Sequence, residues 1–204
     1  MLIYIEFISR QPGVGLHEFH RVAGHGQSGW AGEYGDDLCV LNVGRSWRIG
    51  PDPEYMCVWY SARHGLDRID DWETVFRSGD ADHLEEPFRL AARIDRAGCY
   101  EPLLEPVAGS KGRYYAEWID FSSDATRHDV SEYYERRRAA HPELELNLLC
   151  DRIGKLGPEP RAIAVWGLPS WAAADTICRE LDAGDGPVHL VAASFYADWG
   201  EEQL

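Results

Sequence analysis

Two side chains near the start of the chain could carry acid–base chemistry. Glu6 lies within the apolar segment 2–8, although glutamate is uncommon in strands. His20 lies in the helical segment that follows, on the same stripe as Phe19 and Ala23. An imidazole can exchange a proton with a phenol or an enol near neutral pH, and a carboxylate can act as a general base. We expect His20 and Glu6 to be the catalytic pair.

Each of these residues also has a purely structural interpretation. His20 could be a buried, hydrogen-bonded histidine of the core. Glu6 has a counterpart in Glu117, so both glutamates could line an interface between two sheets, bonded to tyrosines or to Arg45 and Arg152. The duplication favours this structural interpretation of the glutamates.

A metal site at this helix is a further alternative. His17 lies about 60° from His20 around a helix, so the two could share an ion. His25 falls on roughly the opposite side. The segment Glu18-Phe19 matches Glu132-Tyr133 at an offset of 114, which pairs His17 and His20 with a serine and a tyrosine. We therefore expect no metal and place His17 among the substrate-binding residues.

Aromatic residues could form the walls of a pocket. Tyr4, Trp59 and Tyr60 lie in predicted strands, and Trp30 lies in the glycine-rich stretch 24–35. We expect this stretch to end the helix as a flexible connection that could also act as a lid. Part of it matches G-x-G-x-x-G, but it follows a helix and not a strand, so we expect no dinucleotide there.

The two halves of the chain are copies of each other. The matches are Gly50–Pro53 with Gly157–Pro160 and Val58-Trp59 with Val165-Trp166, both at an offset of 107, and Tyr4–Ile8 with Tyr115–Ile119 at 111. Each half predicts the order βαββαβ, with one helical region from Asp70 to about Arg93 and a fourth strand from Gly98. We expect repeats at residues 1–105 and 113–204, joined by a linker at about 106–112.

Residues present in only one half are better candidates for chemistry than matched ones, because matched residues are explained first by a shared core. Arg137 is such a residue. It falls on a helix stripe with Tyr133 and Tyr134. An arginine there could hold a carboxylate or a phosphate, or it could mark the edge of the buried stripe.

A βαββαβ unit predicts an antiparallel sheet with two helices on one face. Two such units can press their bare faces together, so we expect an α+β fold in which tandem ferredoxin-like units form a pseudo-dimeric α+β barrel. In this order and duplication the chain resembles the dimeric α+β-barrel superfamily in tandem-fused form. That group includes quinol monooxygenases, EthD-like proteins and NIPSNAP-like proteins.

The resemblance implies a small hydrophobic or aromatic ligand bound between helices and sheet. It also implies cofactor-independent monooxygenase, isomerase or cyclase chemistry. A non-catalytic ligand-binding or assembly module is the first alternative. A haem-binding protein is the second, because chlorite dismutases and dye-decolourising peroxidases have the same double fold. The pseudo-dimer could also pair again into a homodimer.

Composition narrows the partners and the compartment. The net charge of −15 argues against nucleic acid or an anionic membrane as a partner. The five cysteines have no Cys-x-x-Cys spacing, which is typical of reduced residues in a cytoplasmic protein. The N-terminus lacks the basic region of a signal peptide, and no apolar run approaches the roughly 18 residues that span a bilayer.

Overall fold

The computed structural model describes the backbone of residues 1–33, 37–46, 49–50, 53–182 and 186–198, and their side chains except 25–33 and 180–182. These residues form eight strands and five α-helices. The first half contains β1 (Leu2–Arg10), α1 (Leu16–Glu33), β2 (Leu38–Arg45), β3 (Tyr55–Ser61), α2 (Asp67–Ser78), α3 (Asp82–Ala91) and β4 (Ala92–Pro102). The second half contains β5 (Arg113–Phe121), α4 (Arg127–Ala140), β6 (Glu145–Arg152), β7 (Ala162–Gly167), α5 (Ala174–Asp182) and β8 (Val188–Ala197). None of the described helices combines the length and the apolar character needed to cross a membrane.

The eight strands close into an antiparallel barrel in the order β1-β3-β2-β8-β5-β7-β6-β4. The four strands of each half are therefore neighbours, and the halves meet at two short seams. At one seam Gly44 and Arg45 of β2 pair with β8. At the other, Tyr100–Pro102 of β4 pair with β6. The predicted α+β class is confirmed.

The barrel interior is packed with apolar side chains from both halves. Because side chains alternate along a strand, Ile3, Ile5 and Phe7 of β1 point inward and are fully buried. They join a cluster that includes Trp118 of the second half, whose ring centroid lies 5.6 Å from that of Phe7. The intervening residues of each strand face outward, where the helices pack.

The strand ladders shift register at matched places in the two halves. β1 shifts against β4 after Phe7, and β5 shifts against β8 after Trp118, 111 residues later. β2 shifts against β3 after Cys39, and β6 shifts against β7 after Leu146, 107 residues later. These intervals are the offsets at which the sequence repeats, so the irregularities of the sheet repeat along with the residues.

Helix α1 is longer than the sequence predicts. It continues to Glu33, through the glycine-rich stretch that was expected to end it at Gly24 and to form a flexible connection or lid. That prediction was wrong, because a glycine costs a helix only about 1 kcal/mol and tertiary packing can override it. On the described part of this helix, Phe19 and Ala23 are fully buried against the sheet.

The second helical region of the first half is two helices, not the single one expected from Asp70 to about Arg93. It is broken at Gly79, which has a φ of 80° and lies in the left-handed region where helices commonly end. Strand β4 then begins at Ala92, earlier than the expected Gly98.

The first helices of the two halves align without a gap. β1 ends at Arg10 and α1 begins at Leu16, while β5 ends at Phe121 and α4 begins at Arg127. The two connecting loops, 11–15 and 122–126, are therefore equal in length. The strand offset of 111 consequently continues into the helices.

Burial supports this alignment of α1 with α4. At an offset of 111, Phe19 corresponds to Val130 and Ala23 to Tyr134, and all four side chains are fully buried. The offset of 114 inferred from the sequence, which paired His20 with Tyr134, was wrong by about one helical turn. The residue that corresponds to the large Tyr134 is a small one, Ala23.

Candidate functional site

A buried carboxylate organises the outer face of the second-half sheet. Glu117 of β5 accepts hydrogen bonds from Tyr134 Oη at 2.7 Å and from Trp166 Nε1 at 3.2 Å. Arg137 of α4 donates to both carboxylate oxygens at 2.9 Å, in bidentate geometry. Its Nη2 also donates to the carbonyl of Ile177 at 3.2 Å. The carboxylate thus receives four hydrogen bonds and closes the space between sheet and helix.

The guanidinium of Arg137 lies among aromatic rings. Its central carbon is 5.2 Å from the ring centroids of Tyr134 and Trp166 and 5.6 Å from that of Tyr133. Burial by itself would lower the pKa of Arg137, but the charge and hydrogen bonds of Glu117 raise it above its usual value. Arg137 therefore does bind a carboxylate, and that carboxylate belongs to the same chain.

The expected location of the two glutamates at an interface between sheets was wrong. Glu117 faces the helices, and strand alternation places Glu6 on the same outer side, opposite the inward-pointing Ile5. Among the hydrogen bonds described for them, Arg45 and Arg152 donate to backbone carbonyls of their own hairpin turns.

The corresponding face of the first half carries a different set of side chains. Tyr4 of β1 lies opposite Trp59 of β3, and Trp59 lies opposite Cys39 of β2. Glu6 lies opposite Cys57 on the next outward-facing row. The structure thus brings Glu6, Tyr4 and Trp59 together on one surface, as the sequence predicts.

This first-half face is more open than its second-half counterpart. Tyr115, Glu117 and Trp166 are at most 2% exposed. In the first half Tyr4 and Glu6 are both partly exposed, and Trp59 is 8% exposed. Since the strands match residue for residue, the difference comes from what the helices place over them.

Helix α2 covers one end of the face. The ring of Trp72 lies 5.0 Å from that of Tyr4, and Arg68 stacks over Trp72 at 5.9 Å while it pairs with Asp37 at 2.9 Å. Burial, followed by the negative charge of Glu6, raises the pKa of the Tyr4 phenol. Tyr4 therefore stays protonated and can donate a hydrogen bond at neutral pH.

His20 lies on the same side of the sheet as Glu6 but next to a different row. It is 4% exposed, and its ring lies 5.3 Å from Phe19 and 5.7 Å from Tyr55, which pairs with Ile8 beyond Glu6. Burial lowers its pKa to about 4. The expectation that this imidazole titrates near neutral pH is therefore not met.

The other predicted site residues lie elsewhere. Tyr60 points into the barrel interior and donates a hydrogen bond to Glu105 at 3.0 Å, because adjacent residues of a strand face opposite sides. It cannot share a wall with Trp59. His17 is exposed on α1. The backbone of Trp30 belongs to α1, and its side chain is outside the described residues.

Sequence reasoning missed the thiols of this surface. Strand pairing places Cys99 opposite Tyr4, so it joins Cys39 and Cys57 on the outward face. Burial, followed by a hydrogen bond with Cys39, raises the pKa of Cys57. Alternation with Trp59 was the available signal for Cys57. All five cysteines are free thiols.

Comparisons with known proteins identify the fold. No protein-family model and no curated protein matches the sequence. Similar solved structures include a candidate chlorite dismutase at 12% identity and a TM-score of 0.57, covering 98% of this chain and 96% of that one. A candidate monooxygenase from Lactobacillus acidophilus NCFM matches at 13% and 0.59, covering 96% and 92%. A haem-binding protein from Thermus thermophilus matches at 10% and 0.57, covering 97% and 91%. The chain has the dimeric α+β-barrel fold of these proteins, and identities this low establish the fold alone.

The described residues do not fit a haem or a metal ion. A haem iron held by histidine needs an imidazole that faces an apolar slot. Among the described histidines only His20 and His141 are buried. His20 packs against two aromatic rings, and His141 Nδ1 lies 3.7 Å from a carboxylate oxygen of Glu143. No group of three or more His, Cys, Asp or Glu among the described side chains could hold a metal ion.

Proposed function

We propose that the chain binds a small hydrophobic or aromatic molecule on the outer face of the first-half sheet and transforms it. The observation that carries this proposal is the contrast between the two halves. Glu117 and its neighbours are sealed by helix side chains, while Glu6 and Tyr4 remain partly exposed beside Trp59. A carboxylate next to a Trp ring can orient an aromatic ligand and accept a proton from it.

Proton transfer is the chemistry that these side chains can perform. Glu6 accepts a proton from an enol, a phenol or an activated C–H group, the first step of isomerase, cyclase or cofactor-independent monooxygenase reactions. Tyr4 stays protonated and donates a hydrogen bond to the developing oxyanion. His20, neutral at pH 7, passes a proton on or holds a hydrogen bond. His17 and Trp30 are retained as substrate-binding residues at the edge of the site.

A ligand-binding or assembly module without catalysis is the second candidate. The observation that favours it is the low pKa of His20, because an imidazole with a pKa of about 4 is a weak proton acceptor at pH 7. The two candidates share the same surface and differ only in whether a product forms.

The architecture on which the site rests is a duplication. We infer two ferredoxin-like units at residues 1–105 and 113–204, joined by a linker at about 106–112. The register shifts that recur at 107 and 111 residues support this, as does the adjacency of the four strands of each half. Five free thiols support a reducing, cytoplasmic compartment. Further pairing into a homodimer is compatible with this architecture.

Thiol protection tests the location of the site. Cys39 is partly exposed and pairs with Trp59, whereas Cys178 is a partly exposed thiol of the second half. We expect an aromatic ligand found by thermal-shift screening to slow alkylation of Cys39, measured by peptide mass spectrometry, and to leave Cys178 unchanged. If no aromatic compound protects Cys39, the proposed site is wrong.

Turnover separates the two candidate functions. A protecting ligand is incubated with the protein and the mixture is searched for product. We expect Glu6→Gln to lower turnover by about 10²–10⁴-fold, the usual contribution of a general base. We expect His20→Gln to lower it less while Cys39 protection persists. Binding without any product would leave the non-catalytic module as the function.

A further inference from the structure

The filled second half indicates what the open first half is built to bind. At the offset of 111, the strand residues Glu6 and Tyr4 correspond to Glu117 and Tyr115, and Trp59 corresponds to Trp166 at 107. The sheet therefore presents the same carboxylate, phenol and indole in both halves. This inference rests on the proposed function and specifies its ligand class.

The helices above these matched strands differ at two positions. Tyr134 of α4 corresponds to Ala23 of α1, and Arg137 corresponds to Gly26. In the second half the guanidinium is a planar cation that lies among aromatic rings and binds both oxygens of Glu117 at 2.9 Å. At the matched positions of the first half, the helix supplies one methyl group and one glycine.

We infer that the first-half site binds an aromatic ligand carrying a planar cation, such as an amidinium or a guanidinium. The aromatic part occupies the region that Tyr134 takes in the second half, against Trp59. The cation faces Glu6, as Arg137 faces Glu117. Glu6 has contacts of its own within the fold, and its side chain nevertheless remains partly exposed to an incoming ligand.

Two physical arguments favour a cation over a neutral ligand. A bidentate hydrogen bond between a carboxylate and a planar cation is stronger than a neutral one, and a cation beside an indole gains a further attraction. The net charge of −15 also raises the local concentration of cationic ligands and lowers that of anionic ones.

Three ligands of one shape and different charge test this inference. Benzamidine is a cation, benzamide is its neutral analogue, and benzoate is an anion. We expect benzamidine to bind at least tenfold more tightly than benzamide, which corresponds to about 1.4 kcal/mol, and benzoate to bind least. Affinity is measured by calorimetry, and the location by protection of Cys39 against alkylation.

Two variants assign the preference to one carboxylate. Glu6→Gln keeps the shape of the side chain and should remove the preference for benzamidine. Glu86→Gln removes the same charge from an exposed position of α3 and should keep it. Because the ligand series is measured first on the unaltered protein, the test does not depend on either variant folding well.

The outcomes distinguish this inference from the proposed function. Equal binding of benzamidine and benzamide, or a preference that survives Glu6→Gln, overturns the inference and leaves an aromatic site in place. The same holds if none of the three protects Cys39 while another aromatic compound does. If no aromatic compound of any charge protects Cys39, the proposed function fails with it.

Discussion

Single residues decide which half of the molecule is open. Glu117 is fully buried, and a buried carboxylate is tolerated only with partners. Arg137, Tyr134 and Trp166 supply those partners. A buried ion pair adds little net stability, but removing one partner strands a charge at a cost of about 3–5 kcal/mol. The second half is therefore committed to this cluster and has no room to vary it.

The titration of His20 is predicted to appear in the stability of the protein. Its pKa is about 4 in the folded state and about 6.5 in an unfolded chain. The neighbouring charges are Glu54, Arg10 and His17, and burial outweighs the attraction of Glu54. Between pH 6.5 and 4 the unfolded state binds more protons, so stability is complete above pH 6.5 and falls as the pH drops, by up to about 3 kcal/mol.

His20→Gln isolates this contribution, because other groups titrate equally in both proteins. Urea unfolding at pH 7, 5.5 and 4 should show the unaltered protein losing more stability than the variant as the pH falls. Parallel losses in the two proteins would contradict the lowered pKa.

At the level of elements, α1 is predicted to gain stability when a glycine is replaced. Gly24 lies inside the helix, and a Cβ added there would meet Tyr55 Oη at 3.6 Å, an ordinary contact. Gly24→Ala should therefore raise the free energy of unfolding by about 0.5–1 kcal/mol. Chemical denaturation measures the change.

Gly13→Ala is the matched control for this substitution. Gly13 has open space around it but a φ of 87°, so an alanine there is strained and should destabilise the protein. If Gly24→Ala were also destabilising, the glycine-rich stretch would not be helical in solution.

The sequence predicts the strands better than the helices. Alternation and β-branched residues located β1 and β3, and the duplication placed Glu6 with Tyr4 and Trp59. The extent of α1 could not be predicted, because local glycine signals oppose a helix that the fold nevertheless forms. Alternation separates the faces of β3, yet only the folded chain shows that Tyr60 lies on the interior one and Trp59 on the outer one.

At the scale of the whole molecule, the barrel depends on short seams. Across the seam between β4 and β6, the acidic residues Glu101 and Asp151 lie opposite each other. Arg127 of α4 forms an ion pair with each of them, at 2.9 Å from its Nε to Asp151. A cation from outside the sheet thus neutralises two like charges that would otherwise oppose closure.

Neither half is predicted to be stable as an isolated monomer. The interior cluster takes residues from both halves, so a fragment of residues 1–105 or 106–204 would expose one side of it. We expect each fragment to unfold or to self-associate, and the mixture to recover a 1:1 complex with cooperative unfolding. Size-exclusion chromatography and circular dichroism measure this. A stable monomeric fragment would contradict a shared core.

Closure of the barrel also has a consequence for the newly made chain. All eight described strands have neighbours on both sides, so the finished sheet offers no edge for another chain to extend. The first half, by contrast, leaves the ribosome with β2 and β4 still unpaired. At the usual 5–20 residues per second, the second half follows over roughly 5–20 s. During that interval the nascent chain carries two templates for aggregation, and the yield of soluble protein therefore depends on the speed of translation and on chaperones that cover those edges.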